Sequence, residues 1–320
     1  MDNLSVEKQF EDTLKSVARN LDIKEYVQQS AELYPLFQRS AKRFVTGENK
    51  EDGVLAGDQL VHKGYRISLE FIGENTVKKE ECVRAKDEFI SLIRECGNQG
   101  LQSRISFDLS HIGLSVEPNL ALRNLLEMAA EAEKYHLSLM ISAEESGKTD
   151  QVLSVYKKAV AKYPNIGVTL QAQLYRTHDD IKELIKYSGA IRIVKGAFQE
   201  PPEICIPRSE KLDQRYLELV ELCVKEGHQV SVASHDDGIY KQIIDRGYLQ
   251  NPNVEAEMLY GIRPDLCKQL KDDGFPVRVY LTYGSEWYLY LVHRIAEYPP
   301  NIYVAITDMI QGANDTSALY

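Results

Sequence analysis

Apolar residues follow two different rhythms along this chain. In the first stretch Phe10, Leu14, Val17 and Leu21 recur at three- and four-residue steps, with Leu4 upstream. That is the period of an amphipathic helix. A second stretch of the same kind runs from Ala31 to Val45 and ends near Gly47, and Asn49–Gly57, polar with two glycines, reads as a linker. Beyond it, short apolar runs alternate with longer helical patterns. Eight runs are predicted as strands: Arg66–Ile72, Arg104–Leu109, Leu137–Ile141, Gly167–Leu170, Ile191–Val194, Gln229–Ala233, Val254–Leu259 and Val277–Leu281. Helices are predicted at 77–96, 119–135, 148–163, 178–187, 209–226, 236–247, 262–272 and 284–297.

Strand–helix alternation implies parallel strands joined by helical crossovers. Eight such units in about 240 residues is the count for a closed (β/α)8 barrel of the TIM type. An open doubly wound sheet is the alternative, but no GxGxxG follows the first strand. The expected organisation is a helical arm over residues 1–60, an α/β barrel over 61–310 and a tail over 311–320. There is no internal repeat and no low-complexity tract.

The charge balance, 38 Lys+Arg against 48 Asp+Glu for a net −10, argues against nucleic acid as the main partner. No run of about 18 apolar residues is present, so no membrane span is expected. The opening residues are polar and acidic, unlike a secretory signal. Cys82, Cys96, Cys205, Cys223 and Cys267 are odd in number and show no metal-ligand spacing. They read as reduced thiols of a cytoplasmic protein, with no metal site.

Barrel active sites lie at the C-terminal ends of the strands. The residues there are Asp108 and Ser110, Ser142 and Glu144, Gln171 and Gln173, Arg192, Lys195 and Gly196, Ser234, His235 and Asp236, Glu255 and Glu257, and Tyr280, Thr282 and Tyr283. Burying so many polar groups without partners or ligands is costly, which points to an enzyme; structural ion pairs between strand ends would give the same composition. Three segments stand out. In Ile191–Phe198 (IRIVKGAF) an apolar strand leads Arg192 and Lys195 into a turn at Gly196. This fits two cations facing a phosphate or an electron-rich ring, and it fits a purely structural turn equally well. On the last helix Tyr290, His293, Arg294 and Glu297 share a face. They would clamp an amino acid, or form an exposed Arg294–Glu297 ion pair beside core aromatics. In Ala233–Asp237, Ser234 or Asp236 is a candidate helix N-cap, and His235 is read as holding a loop, since no nucleophile stands in fixed relation to it.

Together these segments resemble the proline dehydrogenase family. IRIVKGAF is similar to its RLVKGAY-type strand, ASHD to its ATHD/ATHN element, and TLQAQLYRT to its TLQAYLYRT-type strand 4. EAEMLYGIRP resembles its strand 7, and RVYLTYGSEWYLYLVHRIAE its RVYVPYG…WYxYxxRRxAE stretch. Order and spacing agree from about residue 64 to 305. The resemblance implies FAD at the barrel mouth, L-proline oxidised to 1-pyrroline-5-carboxylate, and a membrane quinone as electron acceptor. It implies that Gln171, Arg192, Val194, Lys195, Gly196, Ala197, Phe198, Ser234 and His235 line the cofactor. Tyr280, Tyr290 and Leu259 would shape the substrate pocket, and Arg294, with Glu297 beside it, would bind the substrate carboxylate. Arg192, Tyr280 and Arg294 would be the catalytic residues.

The departures from the family pattern fall on the substrate side. Asp108 stands where a Lys is usual, Ser142 for Asp, Glu257 for Gln, Thr282 for Pro, and His293 for the first of two Arg. The loss of two cations weakens a carboxylate clamp. So Asp108, Ser142 and His293 are expected to bear on substrate choice, and a different cyclic or secondary amine is an alternative substrate. A barrel that binds without catalysis is a third reading, opposed by the intact IRIVKGAF and ASHD segments. Peripheral contact with the inner face of a membrane rests on the resemblance alone, because Ile302–Tyr320 carries little basic charge.

Overall fold

The computed structural model describes residues 9–320 except 11, 12, 15, 18, 19, 74, 298–300 and 313–315; the side chains of Leu21 and Glu297 also lie outside the description. Leu4 is thus outside the described residues, whereas Phe10, Leu14 and Val17 are helical.

Eight parallel strands close into a barrel in sequence order. They are β1 (Arg66–Phe71), β2 (Ser103–Phe107), β3 (Ser138–Ile141), β4 (Ile166–Gln171), β5 (Ile191–Val194), β6 (Val230–Ala233), β7 (Val254–Leu259) and β8 (Val277–Tyr283). β8 returns to β1 over six paired positions, from Arg66 opposite Arg278 to Phe71 opposite Tyr283. Closure leaves no open edge, which excludes the doubly wound alternative.

Ahead of the barrel stand α1 (Leu21–Gln29), α2 (Leu33–Ala41) and α3 (Lys50–His62). The stretch expected as a linker is mostly inside α3. Gly57 is the reason it looked like loop. A β-carbon there would sit 2.7 Å from Ile67 Cδ1, so glycine lets the helix lie directly on β1. α3 covers β1 and β8, where the eighth outer helix of such a barrel would stand. α4 (Lys79–Asn98), α5 (Pro118–Lys134), α6 (Thr149–Val160), α7 (Thr177–Leu184), α8 (Glu210–Lys225), α9 (Asp237–Asp245) and α10 (Pro264–Asp272) are the crossovers between successive strands.

The last long helices, α11 (Trp287–Glu297) and α12 (Asn301–Gln311), leave the ring of outer helices. They pack with α1 and α2 around a second apolar cluster that includes Val27, Phe44, Trp287, Leu291 and Ala305. A part-buried pair, Arg43 Nη2 to Asp308 Oδ1 at 2.9 Å, ties the segment after α2 to α12.

Strand side chains alternate between two environments. Ile67, Leu69, Ile105, Phe107, Ile191, Ile193, Val279 and Leu281 join the main apolar core under the helices. Their neighbours turn into the lumen, and many of these are polar: Ser68, Arg104, Ser106, Thr169, Arg192, Ser231, Glu255 and Glu257 are all buried. The lumen therefore carries a charge network where many barrels carry branched apolar layers.

Candidate active site

The lumen network runs from the N-terminal rim of the barrel to its mouth. At the rim Arg66 Nη1 lies 2.9 Å from Glu255 Oε2. Glu255 also takes Arg278 Nε at 2.8 Å and Arg104 Nη2 at 2.9 Å. Burial pulls the Glu255 carboxyl upward, but Arg278 and Arg104 outweigh it and hold it well below the usual range. Arg104 Nη1 donates to Ser231 Oγ at 2.8 Å and to Glu257 Oε2 at 3.0 Å. The other oxygen of Glu257 accepts from Arg192 Nη1 at 3.0 Å. One carboxylate thus bridges two buried guanidiniums.

Arg192 is the hub. Its Nε donates to Thr169 Oγ1 at 2.9 Å, Nη1 also to Ser106 Oγ at 3.3 Å, and Nη2 to Ser142 Oγ at 3.2 Å. Its guanidinium carbon lies 4.9 Å from the centre of the Tyr280 ring, a cation–π contact. Burial works to lower its pKa, but Glu257, Tyr280 and Glu70 outweigh it and the net shift is upward. Among the described residues four of its five N–H groups are engaged, which leaves one hydrogen on Nη2. Tyr280 is buried and donates its hydroxyl to Glu70 Oε2. Burial, then Glu70, pushes the phenol well above its ordinary pKa, so it stays neutral.

The other expected residues surround this hub at the mouth. Gln171 Nε2 donates to Glu144 O at 2.9 Å, and Val194 pairs with Gln171 on one side and Ala233 on the other. Gly196 has φ of +113°, and a β-carbon there would come within 2.4 Å of the Gln173 side chain. Phe198 O accepts from Gln173 Nε2 at 3.1 Å, and Ala197 is exposed. Lys195 does not join Arg192. Its ammonium is held by Asp213 and by Asp236 Oδ2, the latter at 2.6 Å. Asp236 also caps α9, accepting from Gly238 N at 2.8 Å. Ser234 is buried and accepts from Asp236 N at 3.2 Å.

His235 Nε2 accepts the backbone N–H of Leu259 at 3.0 Å, which leaves the proton on Nδ1. Burial pushes its pKa down to about 3, with Arg294 and Arg263 adding to the effect. On α11 the Arg294 guanidinium carbon lies 4.9 Å from the centre of the Tyr290 ring. His293 is half-buried on the same helix, and Asp108 is half-buried just past the end of β2. The side chain of Glu297 lies outside the described residues.

Several members of this constellation were not singled out from sequence: Glu70, Arg104, Ser106, Thr169, Asp213 and Arg278. The available signal was a polar repeat at every second strand position, as in Arg66-Ser68-Glu70 and Arg104-Ser106-Asp108. Such a repeat on a strand of a closed barrel marks a polar lumen. Among the described residues no cluster of His, Cys, Asp or Glu could hold a metal ion.

The family model described as proline dehydrogenase matches residues 56–299. Proline dehydrogenase 1 of Bacillus subtilis subsp. natto is 32% identical over 264 residues, covering 82% of this chain and 87% of that protein. Proline dehydrogenase of Deinococcus radiodurans is 34% identical over 280 residues, covering 85% and 90%. Among solved structures, proline utilization A (PutA) from Bdellovibrio bacteriovorus inactivated by N-propargylglycine superposes with a TM-score of 0.76 at 16% identity. The match covers 96% of this chain and 39% of that one. A mutant of PutA from Bradyrhizobium japonicum gives 0.68 at 21% identity, over 79% of this chain and 30% of that one. At these identities the structural likeness speaks for the fold.

Proposed function

Because this chain belongs to the proline dehydrogenase family, we propose that it oxidises L-proline to 1-pyrroline-5-carboxylate with FAD and passes the electrons to a quinone. The observation that carries the reading is the Arg192 hub at the barrel mouth, a buried and compensated guanidinium with one N–H left over beside a neutral tyrosine.

The residues at the mouth fit a flavin. At Gly196 the side chain of Gln173 fills the place a β-carbon would take, so glycine lets Gln173 pack directly on the backbone of the turn that would border the ring. The donors at the mouth are a guanidinium, amides, a serine hydroxyl and an imidazole held neutral, suited to a ring that carries carbonyl oxygens and gains negative charge on reduction. FAD, when bound, accepts the hydride from the carbon next to the amine. The chain supplies the rest. Arg192 presents a fixed positive charge and a hydrogen-bond donor, and Thr169, Ser142 and Glu257 hold it still. Arg294 offers a guanidinium for the substrate carboxylate. Gln171, Ser234 and the Nδ1–H of His235 offer hydrogen bonds to the cofactor. Tyr280, stacked on Arg192, closes one wall of the substrate pocket and excludes water from the reacting carbon.

Among the described residues no helix is long and apolar enough to cross a membrane. A quinone acceptor then requires contact at a membrane surface or an acceptor that comes to the protein.

The test is the visible spectrum of the purified protein followed under anaerobic addition of L-proline. A flavin spectrum that bleaches is expected. A yellow protein indifferent to L-proline but bleached by another secondary amine would move the substrate assignment. A protein that takes up no FAD would overturn the proposal.

A further inference from the structure

Resting on the proline reading above, we propose that Glu70 is a positioning residue that makes Tyr280 recognise the substrate's amine rather than its carboxylate. A phenol has one hydrogen to give and lone pairs to receive with. An ionised carboxylate only accepts, so beside Glu70 Oε2 the Tyr280 hydroxyl must donate. Its other polar neighbour is Ser142 Oγ at 3.5 Å, a long contact. Ser142 already accepts from Arg192 Nη2, so its own hydrogen is free to turn toward Tyr280. The Tyr280 oxygen is therefore an acceptor on its open side. A carboxylate brought to it would meet lone pair against lone pair, whereas a ring N–H would meet an acceptor strengthened by the negative charge behind it.

The arrangement is stiff. Glu70 lies at the end of β1, and β1 and β8 are in register there, with Ser68 opposite Tyr280 and Glu70 opposite Thr282. The ring is buried and stacked on Arg192, which is itself held by four side chains. The ring is thereby fixed, and the carboxylate of Glu70 is what holds the hydroxyl hydrogen on its side. Glu70 thus acts through Tyr280, and the carboxylate end of the substrate falls to Arg294.

The experiment compares two ligands in Glu70→Ala, Glu70→Gln and Tyr280→Phe, all loaded with FAD. One is L-proline; the other is tetrahydrofuran-2-carboxylate, the same ring with an ether oxygen in place of N–H. Removing Glu70 is expected to raise KM for L-proline about tenfold, the effect of one hydrogen bond of about 1.4 kcal/mol. The inhibition constant of the ether should stay the same or fall, because the freed hydroxyl can then donate to the ring oxygen. Glu70→Gln keeps an acceptor for the hydroxyl without the charge and should shift both constants in the same directions by less. Tyr280→Phe combined with Glu70→Ala should be no worse for L-proline than Tyr280→Phe alone. Equal weakening of both ligands, or an unchanged KM for L-proline in Glu70→Ala and Glu70→Gln, would overturn the role of Glu70. Failure of the unmodified protein to be reduced by L-proline at all would instead remove the functional reading on which the role depends.

Discussion

Glu257 and Ser142 are both departures from the family pattern, and both bond the same guanidinium, so they offer a direct test of how Arg192 is held. By the resemblance, relatives usually carry Asp at the position of Ser142 and Gln at that of Glu257. By that pattern the carboxylate expected on β3 is absent here, and one stands on β7 instead. In Glu257→Gln the amide can accept from only one of Arg104 and Arg192, both now 3.0 Å from a carboxylate oxygen, and turns an N–H toward the other. One charge-assisted bond is lost and a buried guanidinium loses its counter-ion, which costs about 2–4 kcal/mol. Ser142→Asp alone adds a carboxylate to a lumen already holding Glu257 and Glu70 and should also destabilise. The double substitution puts the charge back on the β3 side and should recover at least about 1–2 kcal/mol relative to the sum of the singles. The assay is urea unfolding followed by circular dichroism. With a slope of about 3 kcal/mol per M, Glu257→Gln should lower the midpoint by roughly 1 M and the double variant by clearly less. If the double variant unfolds no later than the sum of its parts predicts, the two positions do not share one charge and the reasoning fails.

Three further outcomes follow from the same geometry. His111 is buried against Phe71 and Phe89, and burial pushes its pKa down to about 4 from 6.5. Because the unfolded chain binds the proton first, stability should be lost as pH falls from about 6.5 toward 4, by roughly 2–3 kcal/mol at pH 4.5, and His111→Gln should flatten that part of the pH profile. Gly196→Ala, at a φ of +113° and with its new methyl 2.4 Å from Gln173, should leave the barrel folded by circular dichroism but reduce FAD uptake; a fully yellow variant would count against this turn as part of the FAD site. Asp108→Lys with His293→Arg restores two cations at the substrate end and should lower KM for L-proline, and a folded, flavin-loaded double variant with no gain would remove these positions from substrate choice.

The barrel was readable because its signal is repeated eight times. Each apolar run is short, yet all eight strands form within a few residues of their expected limits, since strand–helix alternation admits few other closures. What misled was local. Gly53 and Gly57 look like linker residues, and only the close approach of α3 to β1 and β8 explains why a helix contains them. The break between β8 and the α11–α12 pair was equally invisible, because an amphipathic helix shows the same pattern whether its apolar face meets the barrel or the arm helices.

In the candidate site, placement was legible where it follows from position at a strand end, as for Arg192, Gly196 and Tyr280. It was illegible where the role depends on which partner reaches a side chain first. Lys195 follows Arg192 by three residues and carries the same charge, yet Asp213 and Asp236 claim it from α8 and the β6–α9 loop. Glu70 and Arg104 read as ordinary strand charges until closure of the barrel faces them inward. This is the consequence of building a lumen from ions. A buried guanidinium is tolerable only if its counter-charges arrive from other strands, so no single strand can show the arrangement, and the charge on β7 is intelligible only beside the serine on β3. For the same reason Ser142 and Glu257 belong together: they bond one guanidinium from two strands, so a change of charge at either is felt by the other's partner.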